Sequence, residues 1–222
     1  MGRNYSATIR SGWSKLPLLV LASAIVPCLL TASGCSKSAD SSEIVLGHYG
    51  SMTGSEATFG ISTDNGFKLA IEEINEAGGI NGKKVRLITY DDKGDSREAG
   101  TAVTRLVTRD SVAAVLGEVA SSLSLAGAPV CQENGVPMIT PSSTNPAVTE
   151  VGDMVFRVCF IDPFQGSVCA KFAREHEGLK ASKAAILYDQ SAAYAVGLQE
   201  EFAKAFEQAG GKIVAKEIYT AG

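Results

Sequence analysis

The sequence predicts an α/β fold in which mostly parallel strands are covered by helices on both faces. From residue 43 onward, short apolar runs alternate with amphipathic segments long enough for helices of about 10–15 residues. The composition is that of a folded globular chain, with 45% hydrophobic and 20% charged residues. Because each strand is followed by a helix rather than by a tight turn, the pattern indicates βαβ units and parallel pairing.

The elements follow one another in a regular order. Apolar runs that predict strands lie at 44–50, 84–90, 112–117, 135–140, 154–160, 183–189 and 212–220. The first helix is predicted by Phe67, Ala70, Ile71 and Ile74, which have the i, i+3, i+4, i+7 spacing of one helix face. Further helices are predicted around 102–107, at 121–134, through Phe172 and at 194–208. This alternation predicts a parallel sheet whose strand exits meet along one edge.

The first 34 residues have the composition of an export signal. Arg3, Arg10 and Lys15 precede a nearly uninterrupted apolar run at 16–30, and small residues follow before Cys35. A membrane-spanning anchor is the alternative, but a bilayer-crossing helix needs about 20 apolar residues and this run is shorter. The stretch around Cys35 resembles a bacterial lipobox, although Ala32 stands where leucine is usual. We therefore expect a signal at 1–34 and a lipidated tether at 35–43; secretion without lipidation is the alternative.

Charge, histidine and cysteine content exclude several classes of protein. The net charge of −4 gives no basic surface for nucleic acid, and only two histidines are present, His48 and His176. No cysteines have metal-ligand spacing, so neither a metal nor another cofactor is expected. Cys131, Cys159 and Cys169 permit at most one disulfide in the mature part, and buried free thiols are the simpler expectation.

Three strand exits are rich in hydroxyl groups: "SMTG" at 51–54, "ASS" at 120–122 and "PSST" at 141–144. A single exit of this kind would be a helix cap, but three exits on one edge of a sheet favour a shared polar cleft. Hydroxyls and helix N-termini suit a compact anion such as a carboxylate. None of the three loops contains Lys or Arg, and the chain lacks a P-loop or GxGxxG motif, so polyphosphate ligands are not expected.

Catalysis is poorly supported by the same residues. Ser121 and Ser122 lack a GxSxG motif and an evident histidine partner. His48 lies within the first strand run, where a core or cleft-wall role is expected. Asp91 and Asp92 follow the second strand, where capping explains them better than a bound cation. An exported hydrolase on a similar sheet is therefore the weakest of the functions considered.

Four segments resemble the type I periplasmic-binding-protein family, and more narrowly the branched-chain amino acid binding proteins of ABC importers. They are "GGINGKKVRLITYDD" (78–92), "LVTRDSVAAVLGEVASS" (106–122), "GVPMITPSSTNPAVT" (135–149) and "FRVCFIDPFQG" (156–166). The resemblance implies two α/β lobes that close on a small ligand. Lobe 1 is expected at 44–160 and part of lobe 2 at 161–222, because family chains continue well beyond this length. The second lobe is therefore expected to be incomplete.

The resemblance also implies a ligand site. Ser121 matches a carboxylate-binding serine, the carbonyl of Ser142 and the hydroxyl of Thr144 match ammonium acceptors, and the N–H of Thr144 matches a carboxylate donor. Phe59 and Tyr194 match aromatic residues near the ligand side chain. The full set of expected ligand-binding residues is Phe59, Ala120, Ser121, Ser122, Ser142, Ser143, Thr144 and Tyr194.

The resemblance implies a non-enzymatic, membrane-anchored solute-binding protein that delivers an amino acid, preferably a branched-chain one, to an ABC permease. A ligand-sensing module of the same fold, which would bind amides, urea or aromatic acids and control a receptor or regulator, is the alternative. The expected partners are thus a small-molecule ligand, permease subunits and, through the lipid anchor, a membrane. No nucleic-acid partner is expected.

Overall fold

The computed structural model describes residues 43–221 and contains two parallel sheets. The first sheet has five strands: β1 (Glu43–Gly50), β2 (Lys84–Asp91), β3 (Ala114–Leu116), β4 (Met138–Thr140) and β5 (Val155–Arg157). Their order is β2-β1-β3-β4-β5, and every neighbouring pair is parallel. In β1, which lies between β2 and β3, His48 stands opposite Thr89 on one side and Leu116 on the other. The strand exits consequently lie along one edge.

The helices of the first lobe start beside that edge. They are α1 (Ala57–Glu76), α2 (Ser96–Thr108), α3 (Ser121–Asn134) and the short α4 (Ala147–Glu150). The side chain of Asp95 caps α2 by accepting the N–H groups of Arg97 and Glu98. Helix α3 ends at Gly135, whose φ of 65° lies in the left-handed region that glycine adopts without strain.

The core of the first lobe lies between the sheet and helices α2 and α3. Tyr49, Leu106, Val115 and Met138 are fully buried there. Gly127 lets α3 approach the sheet, because a Cβ at this position would lie 2.6 Å from the hydroxyl oxygen of Tyr49. A larger residue at position 127 would therefore push α3 and its first residues away from the strand exits.

The second lobe contains α5 (Asp162–Glu175), β6 (Lys183–Asp189), α6 (Ala193–Gln208) and β7 (Lys212–Tyr219). Strands β6 and β7 form a two-stranded parallel sheet. Phe206 of α6 is fully buried, whereas Leu187 of β6 remains 70% exposed. Within the described residues, this lobe covers its apolar side chains less completely than the first.

The predicted type and order of the strands are confirmed, but three strands are shorter than expected. The runs at 112–117, 135–140 and 154–160 form strands of only three residues each. Beyond β5, the N–H of Val158 still donates to the Thr140 carbonyl at 3.3 Å, but the side chains of Val158 and Phe160 are 71% and 54% exposed. Helix α4 was not predicted, because its four residues are too few for a periodic pattern.

Several expectations concern cysteines, metals and the membrane. Cys131, Cys159 and Cys169 are all free; Cys131 is buried as expected, but Cys169 is exposed, contrary to expectation. Among residues 43–221, no group of three His, Cys, Asp or Glu side chains could hold a metal ion. None of the helices in that range is long and apolar enough to cross a bilayer. The expected signal, Cys35 and nearly all of the tether lie outside the described residues.

Candidate functional site

A cavity of about 500 Å³ lies at the carboxyl ends of β3 and β4, between the two lobes. Seven of the eight predicted site residues line it: Phe59, Ala120, Ser121, Ser122, Ser142, Thr144 and Tyr194. Glu56, Val119, Phe160, Gln165 and Ala192 complete the lining and were not predicted. The structure thus brings together residues from two strand exits of the first lobe and from the starts of helices in the second.

One wall of this ligand pocket is the first turn of α3. The residue before the helix, Ala120, has no side-chain group to cap it. The first N–H groups of α3, at the pocket-lining residues Ser121 and Ser122, therefore have no cap from that side chain. The hydroxyl of Ser121 accepts the N–H of Asn145 at 3.3 Å, which joins the helix start to the loop after β4. A helix N-terminus flanked by hydroxyls favours a carboxylate.

The loop after β4 forms a second wall and contains unused hydrogen-bonding capacity. Ser142 Oγ and Thr144 Oγ1 are buried, and neither has a hydrogen-bond partner within the described part of the chain. Buried polar groups are normally paired, since an unpaired one destabilises the fold. Two such hydroxyls beside one pocket are consistent with groups that receive their partner from a ligand.

Arg157 of β5 holds this loop in place. Its guanidinium donates to the carbonyl oxygens of Ser143 and Asn145, each at 2.8 Å, and to that of Pro146 at 2.9 Å. It also donates to the hydroxyl of Thr149. The planar guanidinium suits several acceptors at fixed angles. Sequence reasoning missed Arg157, although it stands in a segment that resembles the family.

Ser143 was predicted to bind the ligand, but it lies beneath the pocket and does not line it. Its side chain is fully buried, and its Oγ makes contacts of 2.7 Å with Ser124 Oγ and 3.0 Å with the carbonyl oxygen of Val119. In the loop "PSST", Ser142 and Thr144 line the pocket whereas the intervening Ser143 packs inward. Ser143 therefore supports the site from below.

The first hydroxyl-rich exit, at 51–54, was expected to join the cleft but does not line the pocket. Ser51 is buried, and its hydroxyl contacts Asp92 Oδ1 at 2.8 Å and Glu118 Oε1 at 3.1 Å. Asp91 accepts the N–H groups of Met52 and Thr53, so it organises the loop, as the capping interpretation predicted. Only Glu56 and Phe59, which follow this loop, reach the pocket.

Glu118 is a second residue that sequence reasoning missed. It is 2% exposed, and burial, with the nearby Asp92 carboxylate adding to the effect, raises its pKa to about 7. Its side chain accepts the N–H of Ser51 at 3.1 Å and also the N–H of Ala120. The sequence did contain a sign of this role, because Glu118 is an acidic residue between the apolar run at 112–117 and the hydroxyl-rich exit at 120–122.

The second lobe contributes the far wall of the pocket. Gln165 Nε2 donates to the hydroxyl of Tyr194 at 2.9 Å, which fixes the ring of Tyr194 beside the cavity. Two hydrogen bonds tie the start of α6 to the first lobe. Ser122 Oγ accepts the N–H of Ala193 at 2.9 Å, and Asn145 Nδ2 donates to the Ala193 carbonyl at 2.8 Å.

Asp162 begins α5, directly after the chain leaves the first lobe. Its carboxyl is fully buried and has no hydrogen-bond partner among the described residues, and burial raises its pKa. The nearby hydroxyl of Thr144 opposes that rise, although the two groups do not meet normal hydrogen-bond geometry. Asp162 does not line the pocket.

The arrangement offers binding groups but no evident nucleophile with a base. His48 is 1% exposed, burial lowers its pKa, and its Nδ1 contacts the Leu116 carbonyl at 3.0 Å. It therefore has the core role that was expected. Within residues 43–221, no histidine is hydrogen-bonded to Ser121 or Ser122. The pocket can thus hold a small ligand with carboxylate and donor groups.

Known proteins resemble this chain over more than four fifths of its length. It is 38% identical to a leucine-, isoleucine-, valine-, threonine- and alanine-binding protein of Pseudomonas aeruginosa, over 84% of this chain and 49% of that protein. A leucine binding protein from Thermotoga maritima superposes with a TM-score of 0.75 at 37% identity, covering 81% of this chain and 49% of that one. A branched-chain amino acid transporter substrate binding protein from Streptococcus pneumoniae, in complex with isoleucine, gives a TM-score of 0.75 at 35% identity, with 81% and 50% covered.

The chain spans about half the length of the relatives it matches. A model of the family described as periplasmic binding protein matches residues 43–222, which is most of the sequence. That match includes both lobes and every residue that lines the pocket. The chain therefore belongs to the periplasmic binding protein family.

Proposed function

We propose that this protein is the solute-binding component of an ABC importer and that it binds a small α-amino acid, preferably a branched-chain one, between its lobes. The observation that carries the proposal is the pair of unpartnered buried hydroxyls, Ser142 Oγ and Thr144 Oγ1, beside the uncapped start of α3. An α-amino acid head group offers a carboxylate and an ammonium within one small ligand. The pocket offers matching groups for both.

The carboxylate is placed at the start of α3. There the hydroxyl of Ser121 and the helix N-terminus favour negative charge. The N–H of Thr144 is a further donor. No Lys or Arg lines the pocket among the described residues, so a ligand with a single compact anionic group suits the site better than a phosphate.

The ammonium is placed at the loop after β4, where the carbonyl of Ser142 and the hydroxyl of Thr144 accept hydrogen bonds. Arg157 keeps this loop in position by binding its carbonyl groups at 143, 145 and 146. The ligand side chain then points toward Phe59, Phe160 and Tyr194, whose rings supply apolar contact area. One similar relative is named for leucine, isoleucine, valine, threonine and alanine and another for leucine, which supports a small aliphatic side chain, preferably a branched one.

Membership in the family implies that the protein is exported. We further propose a signal at 1–34, lipidation at Cys35 followed by a tether to residue 43, lobe 1 at 44–160 and part of lobe 2 from 161. The anchored protein would release its ligand to the membrane subunits of a permease and would perform no chemistry on it. Mass spectrometry of the mature N-terminus tests the anchor: an unmodified cysteine, or cleavage elsewhere, would refute it.

Calorimetry tests the ligand. The full protein encoded by the gene is titrated with leucine, isoleucine, valine, alanine and threonine, and with an amide, urea and an aromatic acid as contrasting solutes. Tight binding of one α-amino acid is the expected result. A folded protein that binds an aromatic acid or urea but no amino acid would refute the head-group assignment.

A further inference from the structure

Beneath the ligand pocket, two buried carboxyl groups contact one hydroxyl. Asp92 is fully buried and Glu118 is 2% exposed. Ser51 Oγ lies 2.8 Å from Asp92 Oδ1 and 3.1 Å from Glu118 Oε1. A serine hydroxyl has one hydrogen and can donate to only one of these oxygens. If both carboxyls were ionised, the other contact would bring two lone pairs together.

The surroundings of the pair also oppose two negative charges. Asp91 lies beside Asp92 and remains acidic, since hydrogen bonds from Thr53, Lys93 and Met52 outweigh burial and lower its pKa. The other titratable groups that face the pair are the phenol of Tyr49, whose pKa burial raises, and beyond it the thiol of Cys131. No Lys or Arg in the described range forms an ion pair with Asp92 or Glu118. Two like charges in such a site disfavour each other, so one proton is retained.

The hydrogen bonds accommodate that proton without rearrangement. Glu118 Oε1 accepts the N–H of Ser51 at 3.1 Å and can also donate a proton to Ser51 Oγ. Ser51 Oγ then donates its own hydrogen to Asp92 Oδ1, which also accepts the N–H of Gly94 at 3.0 Å. The chain Glu118–Ser51–Asp92 is complete when the two carboxyls hold one proton between them and is broken when both are ionised.

Glu118 connects this chain to the ligand pocket. Its Oε2 accepts the N–H of Ala120, which precedes α3. Its backbone carbonyl accepts the hydroxyl of Thr140 at 2.8 Å and lies within hydrogen-bond distance of the hydroxyls of Ser124 at 3.1 Å and Ser143 at 3.2 Å. Thr140 Oγ1 in turn accepts the N–H of Ser142 at 3.3 Å. One residue thus links the loops after β1, β3 and β4.

We propose that Glu118 is a positioning residue for the ligand pocket, and that the single proton it shares with Asp92 through Ser51 keeps the loops after β1 and β3 in their ligand-binding arrangement. This inference rests on the proposed function for its ligand, but the shared proton itself does not. Loss of the proton leaves two buried charges on opposite sides of Ser51. The loop after β1 then moves away from Glu118, and Ala120 and the start of α3 move with the released carboxylate.

The sign of the pH effect follows from the pKa of Glu118, which is about 7 in the folded protein against 4.5 for a free side chain. Between these pH values the folded state holds a proton that the unfolded state has lost. The contribution of Glu118 to the free energy of unfolding therefore falls as the pH rises from 4.5 to 7 and stays constant above pH 7. The unfolding equilibrium constant rises by on the order of 10²-fold over that range. His48, whose pKa burial lowers, acts in the opposite direction below pH 6.5. The contribution of Glu118 is therefore obtained by comparing the pH dependence of the free energy of unfolding in the wild type with that in variants of the pair.

The test compares wild type, Glu118→Gln, Asp92→Asn and the control Glu133→Gln, an exposed position on α3. Urea unfolding and calorimetric titration with leucine are measured from about pH 5 to about pH 8.5. Leucine remains a zwitterion throughout this range. If only the protonated pair binds, the wild-type affinity for leucine falls about tenfold between pH 6 and pH 8. Glu133→Gln should follow the wild type.

The two variants of the pair have different expected results. Glu118→Gln cannot lose a proton, so its affinity should stay constant over that range. Asp92→Asn removes the neighbouring charge and keeps the acceptor for Ser51, so loss of the Glu118 proton leaves one buried charge instead of two. The fall in affinity and in stability should therefore become smaller and move to lower pH. A merely structural role for Glu118 would change the affinity at every pH alike and would not shift the profile.

The outcomes separate the two proposals. A wild-type affinity that is constant from pH 6 to pH 8, or an Asp92→Asn profile that coincides with the wild-type profile, would overturn the shared proton. If Glu118→Gln does not fold, Asp92→Asn decides alone, because it leaves Glu118 in place. Failure to bind leucine or any other amino acid at any pH would instead count against the proposed function. In that case the pH dependence of the free energy of unfolding tests the shared proton. The same pH dependence in wild type and in Asp92→Asn would reject it.

Discussion

Replacing Thr144 by valine tests whether its buried hydroxyl serves the ligand or the fold. Thr144 is 7% exposed, and its Oγ1 has no hydrogen-bond partner in the described structure. Thr144→Val keeps the shape of the side chain and removes only the hydroxyl. The ligand-free protein should therefore unfold with the same free energy or with up to about 1 kcal/mol more, because no internal hydrogen bond is lost.

The affinity for the ligand, in contrast, should decrease in Thr144→Val. A hydrogen bond to a charged group such as an ammonium contributes about 1.5–3 kcal/mol. At about 1.4 kcal/mol for each factor of ten, Thr144→Val should bind leucine about 10- to 150-fold more weakly in calorimetric titration. Thr104→Val is the matched control, since Thr104 is exposed on α2 and its hydroxyl donates to the Gly100 carbonyl of its own helix. Its affinity should equal that of the wild type.

Ser143→Ala provides the reverse comparison within the same loop. The Ser143 hydroxyl is fully buried and contacts Ser124, Glu118 and Val119. Its removal should lower the free energy of unfolding by about 1–3 kcal/mol and weaken leucine binding less than Thr144→Val does. If Thr144→Val instead lost stability while its leucine affinity stayed unchanged, the hydroxyl would belong to the fold, and the ammonium assignment would be wrong.

Three further predictions concern the scaffold of the site. Arg157→Lys should lower the free energy of unfolding by about 2–3 kcal/mol and also weaken leucine binding, since one ammonium cannot replace a guanidinium that binds three carbonyls and Thr149; an unchanged thermal midpoint would contradict this. Leu106→Ala should cost about 2–5 kcal/mol in urea unfolding, because Leu106 is fully buried against Gly47, and a cost below about 1 kcal/mol would mean that the core is loosely packed. For Asp91, burial raises the pKa but hydrogen bonds from Thr53, Lys93 and Met52 lower it overall, so its stabilising contribution is present above the unfolded pKa of 3.8 and is lost as pH falls through the folded value. Asp91→Asn should therefore reduce the loss of stability in acid, and an acid unfolding curve as steep as that of the wild type would exclude this role.

The order of the elements was predictable because each depends on local patterns. Periodicity gives α2, since Ala102, Val103 and Leu106 recur on one buried face of the helix within a single short stretch of sequence. The lengths of β3, β4 and β5 were not predictable. Whether a residue such as Phe160 pairs with a neighbouring strand depends on a partner far away in sequence, and an apolar side chain can equally remain exposed.

The residues of the site likewise include some that the sequence could indicate and others that it could not. The position of Ser121 and Thr144 in the pocket lining was predictable because hydroxyls at strand exits stand out in the sequence and because the segments around them resemble a family. Glu118 and Arg157 were missed because their roles depend on residues far away, at Ser51 and in the loop after β4. Ser143 shows the opposite error: adjacent residues of a loop point in different directions, so composition cannot separate the residues that line a pocket from those beneath it.

The two hydrogen bonds from Ser122 and Asn145 both end on the main chain of Ala193. The connection between the lobes therefore requires a peptide group at position 193 and makes no demand on its side chain. Any residue that supplies an N–H keeps both hydrogen bonds, whereas proline would remove the one to Ser122 although the first turn of a helix normally tolerates proline. Replacing Ala193 by a residue other than proline should consequently preserve this junction, and the identity of the side chain at position 193 gives no sign that the junction exists.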